Sequence, residues 1–286
     1  MSSIEPPKDK TQANSIAEAV SQTLQEGSTA ALATLIETTD LPNVGSKLLV
    51  REFGVTSMPV GSLGSDELDR AVAEQAAKFL DSGADIRIIQ AKEFAPQLTA
   101  CGEAQILFER IQAEPRLVIC GAGHVGASLA KLAGLLGYRA TLIDDRAEFV
   151  ARESFPGENI ELVAAENWPE AVQAAIGNGR GVSVAIVTRG HSEDEQCLRA
   201  VIPIDVDYVG LIGSKRRTNI VLQRLRESGA AEVRLEKVHA PVGLDIGAVT
   251  PEEVALAIMA EIVAVRRGGK GTSLSAWRRE KNGGTS

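Results

Sequence analysis

Hydrophobic and polar positions follow two different patterns along the chain. Up to residue 112, short apolar runs come in pairs, and two longer segments, 15–26 and 65–82, have the spacing of amphipathic helices. Glycines between the apolar runs mark turns. This region therefore predicts a small α+β unit, with strands at residues 30–37, 47–53, 86–89 and 104–110.

The pattern changes after Pro115, where short apolar runs alternate with longer helical segments. This alternation is typical of βαβ units and predicts a doubly wound parallel, Rossmann-like sheet with the strand order 3-2-1-4-5-6. We expect an N-terminal α+β domain at 14–111, a Rossmann-like domain at 115–268, and flexible tails at 1–13 and 269–286. The six predicted strands are residues 116–120, 140–143, 160–163, 182–187, 208–212 and a short one near Val238.

A glycine motif follows the first strand of the second region. Gly121-x-Gly123-x-x-Gly126 precedes a predicted helix, and Asp144 and Asp145 come at the end of the next strand. In this motif the first glycine permits a tight turn, the second lets a pyrophosphate approach the backbone, and the third packs the helix on the strand. A carboxylate after the second strand would accept hydrogen bonds from a ribose diol and repel a 2′-phosphate. We therefore expect a nucleotide-type ligand, with NAD favoured over NADP if that ligand is a nicotinamide dinucleotide.

All three histidines lie in glycine-rich or turn-forming stretches that follow apolar runs. His124 lies inside the glycine motif, and His191 follows the fourth predicted strand. His239 follows the last strand, and Asp245 comes shortly after it. Because the first and fourth strands are neighbours in the predicted order, His124 and His191 should face each other where that order reverses. Histidines with Asp194 or Asp245 have the chemistry of metal ligands, but their spacing lacks the short repeats of a preformed site, so hydrogen bonding to a ligand is the alternative.

A cationic helix start follows the fifth predicted strand. Ser214, Lys215, Arg216 and Arg217 come directly after Gly213, at the end of a helix where the dipole disfavours positive charge. An anion from a ligand or partner would explain this arrangement, and solvated side chains are the alternative.

Composition narrows the class of protein. The net charge of −8 argues against a nucleic-acid binder, whose surface would be basic. No apolar stretch approaches the roughly 20 residues that span a bilayer, and the first residues lack a signal-peptide pattern, so we expect a cytoplasmic protein without a membrane span. The three cysteines are widely spaced and predict neither a disulfide framework nor a zinc site. Cys120 and Cys197 fall at positions where we expect them to be packed in the core.

Together these motifs resemble the xanthine dehydrogenase accessory (XdhC/CoxI) family, specifically over about residues 115–268 and more thinly over 14–110. The matching segments are the glycine motif, Ile143-Asp-Asp-Arg, Thr188-Arg-Gly-His, and the runs 208–217 and 239–253. The resemblance implies a molybdenum cofactor chaperone that holds the pterin cofactor, in its simple or dinucleotide form, while sulfur replaces a terminal oxo ligand. It also implies a molybdenum hydroxylase client and a cysteine desulfurase as sulfur donor. The short edges of the small N-terminal sheet would suit pairing in a homodimer.

The N-terminal region departs from the family pattern. Members usually carry a Gly-Gly-Gly-Cys-like turn and a Cys-Gly-Gly turn, whereas here Gly61-Ser-Leu-Gly64 lacks cysteine and the second turn is Cys101-Gly-Glu. Cys101 is therefore the candidate sulfur ligand or relay that the resemblance implies. We find no nucleophile paired with a base, which favours a non-catalytic maturation factor. An NAD-dependent oxidoreductase, with His191 or His239 as acid–base group, and an NAD(H)-sensing regulatory module remain as alternatives.

Overall fold

The computed structural model describes residues 8–38, 44–52, 58–98, 103–155 and 160–275. The chain divides after Ala113 into two compact units, each with its own sheet. None of the helices in these ranges has the length and apolar content needed to cross a membrane.

The first unit is a five-stranded antiparallel sheet with a helix on each face. Its strands run in the order β3-β2-β1-β5-β4. Successive residues of a strand point to opposite faces, so alternate positions of β1 enter two separate cores. Helix α2 packs on one face and helix α1 on the other. The elements are α1 (Lys8–Gln25), β1 (Thr29–Glu37), β2 (Lys47–Arg51), β3 (Val60–Gly61), α2 (Asp66–Asp81), β4 (Ile86–Gln90), α3 (Ala91–Phe94) and β5 (Gln105–Gln112).

Helix α1 differs from the prediction because it begins at Lys8, inside the segment expected to be a flexible tail. Residues 8–14 are mostly polar and give no apolar period, so the pattern becomes visible only near residue 15.

The second unit is a six-stranded parallel sheet with helices on both faces. Its strands run in the order β11-β10-β9-β6-β7-β8, which is the predicted order 3-2-1-4-5-6 when the strands are counted within the unit. The Rossmann-like prediction is therefore confirmed. The elements are β6 (Arg116–Cys120), α4 (His124–Leu135), β7 (Arg139–Asp144), β8 (Ile160–Ala164), α5 (Trp168–Ile176), β9 (Val182–Ile186), α6 (His191–Val201), β10 (Tyr208–Leu211), α7 (Lys215–Glu227), α8 (Glu232–Leu235), β11 (Val238–His239) and α9 (Pro251–Arg267).

The central strand β6 supplies apolar side chains to both cores of this unit. Leu117 and Ile119 pack beneath α4 and α9, whereas Val118 and Cys120 pack beneath α5, α6 and α7. Cys197 of α6 lies in the same core as Cys120, and both are buried, as predicted. Burial raises the pKa of the Cys197 thiol. Because β6 is covered on both faces, a ligand could reach it only beyond its ends, and ligands of open α/β sheets bind beyond the carboxyl ends of the strands.

Candidate functional site

The glycine motif forms a tight turn at the carboxyl end of β6. Gly121 has φ +112°, and a Cβ there would come within 2.6 Å of the Val187 carbonyl oxygen, so only glycine fits. A Cβ on Gly126 would come within 1.8 Å of the Gly121 carbonyl oxygen, which leaves α4 packed closely on the turn. A Cβ on Gly123 would meet no atom within 4 Å. The turn is therefore closed toward the protein at Gly121 and Gly126 and open at Gly123.

The start of helix α4 has no side-chain cap among the described residues. Gly123 is the N-cap residue, no described side chain caps the helix, and its first turn carries no acidic residue. His124 is the first helical residue and is exposed. Backbone N–H groups at such a start are available to an anion.

Asp144 holds the glycine turn instead of offering an oxygen to a ligand. Its carboxylate is 1% exposed and accepts hydrogen bonds from the Ala122 N–H at 2.7 Å and from the Arg146 guanidinium at 2.8 and 2.9 Å. Although burial alone would raise the pKa of Asp144, these hydrogen bonds hold it below its usual value. Because the Asp144 carboxylate is buried as well as hydrogen-bonded within the chain, this arrangement does not favour Asp144 as the partner of a ribose diol.

Asp145 is the exposed acid, and it pairs with an arginine that the sequence pattern did not single out. The Arg189 guanidinium donates from Nη1 to Oδ1 at 2.9 Å and from Nη2 to Oδ2 at 2.8 Å. Arg189 also lies 3.6 Å from the Glu193 carboxylate. Arg189 could have been identified from the sequence, because it comes directly after an apolar strand in the same Thr-Arg-Gly-His stretch as His191.

The start of α6 is built around a buried ion pair. His191 is the first residue of the helix and is exposed. Asp194 is 0% exposed and accepts hydrogen bonds from Thr188 Oγ1 at 2.5 Å and from Arg217 Nε at 2.9 Å. Burial raises the pKa of Asp194 despite these hydrogen bonds. Asp194 is therefore not an available metal ligand.

Of the three cationic residues at the start of α7, one is held in a buried ion pair and two are exposed. Arg217 is held by Asp194, and its backbone N–H is capped by the Ser214 hydroxyl at 3.2 Å. The anion expected next to Arg217 is thus a buried carboxylate of this chain. Lys215 and Arg216 are exposed and make no ion pair with any residue that the structure describes.

His239 lies two strands away from the β6–β9 pair, in the edge strand β11. Its ring stacks on Tyr208 with centroids 4.6 Å apart, and its Nδ1 lies 3.4 Å from the Glu261 carboxylate. The Tyr208 hydroxyl donates a hydrogen bond to the same carboxylate at 2.5 Å. The pKa of Tyr208 is raised, mainly by burial and also by this hydrogen bond. Asp245 is exposed in the loop before α9. Across the ranges described above, no three His, Cys, Asp or Glu side chains form a metal-binding group.

The sheet order decides which of these residues come together. The loops after β6, β7 and β9 are neighbours, so the glycine turn, Asp145, Arg189 and His191 belong to one edge region. The ring-to-ring pairing of His124 and His191 stays a prediction. Cys101 lies outside the described residues.

The comparisons with known proteins agree with this architecture. Residues 117–262 match the family model described as the XdhC Rossmann domain, and residues 23–89 match the XdhC and CoxI family model. The chain belongs to the XdhC and CoxI family. The matched XdhC Rossmann segment contains every predicted site residue of the second unit, whereas Cys101 lies in neither matched segment.

The similarity to two curated relatives covers less than half of each relative. The chain is 32% identical over 235 residues to YqeB of Escherichia coli (strain K12), which covers 80% of this chain and 42% of that protein. It is 28% identical over 162 residues to a probable xanthine dehydrogenase subunit from Bacillus subtilis (strain 168), which covers 57% of this chain and 46% of that protein. The chain therefore spans less than half the length of these relatives.

A solved structure shares the fold. The crystal structure of a xanthine dehydrogenase from Bacillus halodurans superposes with a TM-score of 0.60 at 20% identity, covering 88% of this chain and 66% of that one.

A cavity of about 790 Å³ lies at the amino ends of strands in the XdhC Rossmann sheet, opposite the glycine turn. Arg116, Arg139 and Ile160, at the amino ends of β6, β7 and β8, line it together with Arg152 and Glu161. Ligands of open α/β sheets bind beyond the carboxyl ends of the strands. This cavity is therefore distinct from the site that the glycine motif predicts.

Proposed function

We propose that this chain is a maturation factor for a molybdenum hydroxylase of the xanthine dehydrogenase type and that it holds the pterin cofactor. Family membership supports this role, as does the similarity to a probable xanthine dehydrogenase subunit from Bacillus subtilis. In this proposal the chain acts in the cytoplasm and receives sulfur from a cysteine desulfurase. Two copies pair as a homodimer.

The observation that carries the proposal is the open space at Gly123 beside the uncapped start of α4. Molybdopterin presents a phosphate, and its dinucleotide form presents a pyrophosphate and a ribose diol. A phosphate group fits a glycine turn whose nearby helix start offers unpaired N–H groups. In the dinucleotide form, the ribose diol would be bound by Asp145 rather than by Asp144, because only Asp145 has an exposed carboxylate.

The remaining exposed groups have supporting roles in this proposal. Lys215 and Arg216 neutralise phosphate charge from the start of α7, while His124 and His191 donate hydrogen bonds from the starts of α4 and α6. When bound, the cofactor would supply the molybdenum centre that is to be sulfurated. Cys101, in the family-like Cys-Gly-Glu sequence, is the residue that would supply a thiol for this step.

The test is cofactor content after co-expression. The full chain is purified from cells that make molybdenum cofactor and is denatured, and the released molecules are analysed by mass spectrometry together with molybdenum content. We expect near-stoichiometric pterin in the wild type and little in Gly123→Val, because the added side chain enters the space of the phosphate. Gly134→Val is the matched control, since a Cβ at this second α4 glycine also meets no atom within 4 Å.

The outcomes separate the alternatives. Equal pterin in Gly123→Val and Gly134→Val would place the cofactor away from the glycine turn and contradict the proposal. Release of NAD without pterin would replace the proposal with an NAD-dependent oxidoreductase or an NAD(H)-sensing module.

A further inference from the structure

The Asp145–Arg189 ion pair joins two loops that are not neighbours in the sheet. Asp145 follows β7, Arg189 follows β9, and β6 lies between these strands. Adjacent strands are about 4.8 Å apart, so the two flanking strands are separated by roughly 10 Å. The ion pair must therefore cross the carboxyl end of β6, where the glycine turn begins.

A ligand bound to the glycine turn would also lie across the carboxyl end of β6. In doubly wound sheets, a dinucleotide lies across the carboxyl ends of the strands where the strand order reverses, and here that point is the β6–β9 pair. The ion pair and a phosphate on the turn therefore compete for one strip of surface. They also compete for one guanidinium, because Arg binds phosphate with the same bidentate geometry that it uses for a carboxylate.

We propose that Asp145 and Arg189 form a latch over the glycine turn, and that Arg189 is an anion ligand of this site. The latch is closed in the free protein and opens when a phosphate or pyrophosphate takes the guanidinium from Asp145. This inference rests on the proposed cofactor site and adds Arg189 to it.

The exposure of the ion pairs in this region supports the choice of Arg189. The Asp145 and Arg189 side chains are 30% and 46% exposed, and ion pairs in such surroundings are weak and exchange readily. By contrast, the carboxylates of the Asp144–Arg146 and Asp194–Arg217 pairs are almost fully buried. Opening either of those pairs would leave a buried charge without a partner.

Glu193 keeps Arg189 close to the site when the latch opens. It lies in the first turn of α6 and contacts the same guanidinium nitrogen, Nη2, that pairs with Asp145. An Arg189 released from Asp145 therefore stays beside the start of α6.

The test measures the binding of inorganic pyrophosphate to the full chain by isothermal titration calorimetry. Pyrophosphate carries no diol, so a diol-binding role of Asp145 does not enter the result. We expect Arg189→Gln to weaken binding about tenfold, because a charge-assisted hydrogen bond is lost. We expect Asp145→Asn to tighten binding about threefold, because the competing partner of Arg189 is removed.

Arg199 and Glu195 provide matched controls. They form an ion pair on α6 at 2.9 Å, with comparably exposed side chains. Arg199→Gln and Glu195→Gln make the same charge changes away from the turn and should alter the affinity less than twofold. Weaker or unchanged binding in Asp145→Asn would overturn the latch, as would wild-type protein that does not bind millimolar pyrophosphate.

The latch and the proposed function fail separately. A chain that purifies without pterin but shows the opposite effects of Arg189→Gln and Asp145→Asn keeps the latch and loses the pterin role. A chain that carries pterin but responds to neither substitution keeps the role and loses the latch.

Discussion

Two consecutive carboxylates after β7 have opposite surroundings. Asp144 is the last residue of the strand and turns inward to the Ala122 N–H, whereas Asp145 lies outside and meets Arg189. The sequence pattern predicted an acid at this strand end but did not distinguish the two, because either residue satisfies the spacing. Both acids are paired with arginines, so their combined repulsion of a 2′-phosphate is weakened, and the expected preference for NAD over NADP loses its physical basis.

Asp144 should stabilise the fold in a pH-dependent way. Its pKa is lowered in the folded protein, so its contribution is complete above the unfolded value of about 3.9 and is lost as the pH falls below it. We expect Asp144→Asn to lower the free energy of unfolding by about 2 kcal/mol at pH 7, because a buried acceptor of charged donors is replaced. The difference in the free energy of unfolding between the wild type and Asp144→Asn should become smaller as the pH falls below 4.

Urea denaturation of both proteins between pH 3.5 and 7 provides the measurement. Asp145→Asn is the control, since its exposed ion pair contributes little to stability. A deficit for Asp144→Asn that stays constant over this range would show that the ionised carboxylate is not the stabilising species.

At the level of elements, the sequence predicted the long strands and helices and missed three short elements. Short apolar runs predicted the first five strands of the parallel sheet, the sixth was expected near Val238, and the βαβ alternation predicted the Rossmann-like order. Strand β3 and helices α3 and α8 have two to four residues, which is too short to produce a period.

The hydrophobic pattern also did not predict the ion pairs between elements. For Arg217 at a helix start, the sequence left two interpretations, an external anion or a solvated side chain. The partner of Arg217 is Asp194, on the preceding helix and 23 residues earlier, and hydrophobic periodicity carries no signal for such a pair. Local capping, by contrast, is readable from the sequence, as at the start of α9, where Thr250 and Glu253 form a capping box.

The packing of α4 on β6 should depend on Gly126. A Cβ there would come within 1.8 Å of the Gly121 carbonyl oxygen, so Gly126→Ala forces the helix away from the turn. We expect a loss of about 2 kcal/mol in the free energy of unfolding, as for overpacked cores. Gly134→Ala in the same helix should instead stabilise the protein by about 0.5–1 kcal/mol.

Chemical denaturation of the two alanine variants beside the wild type tests this contrast. If Gly126→Ala were as stable as Gly134→Ala, the close approach of α4 to the turn would not be needed for the fold.

At the scale of the whole molecule, each unit has its own cores, and all strand pairs of each sheet lie within one unit. We therefore propose a domain boundary next to Ala113, and expect a fragment covering residues 114–275 to unfold in a single cooperative transition. The glycine turn, Asp145 and Arg189 all belong to this fragment. Its affinity for pyrophosphate should thus equal that of the full chain within about twofold.

Circular dichroism during thermal unfolding, followed by calorimetry with pyrophosphate, decides between two outcomes for the fragment. A fragment that unfolds without a transition would contradict the proposed boundary, because its cores would then need the first unit. A fragment that folds but does not bind pyrophosphate, while the full chain does, would keep the boundary and contradict the assignment of the anion site to the glycine turn, Asp145 and Arg189 alone.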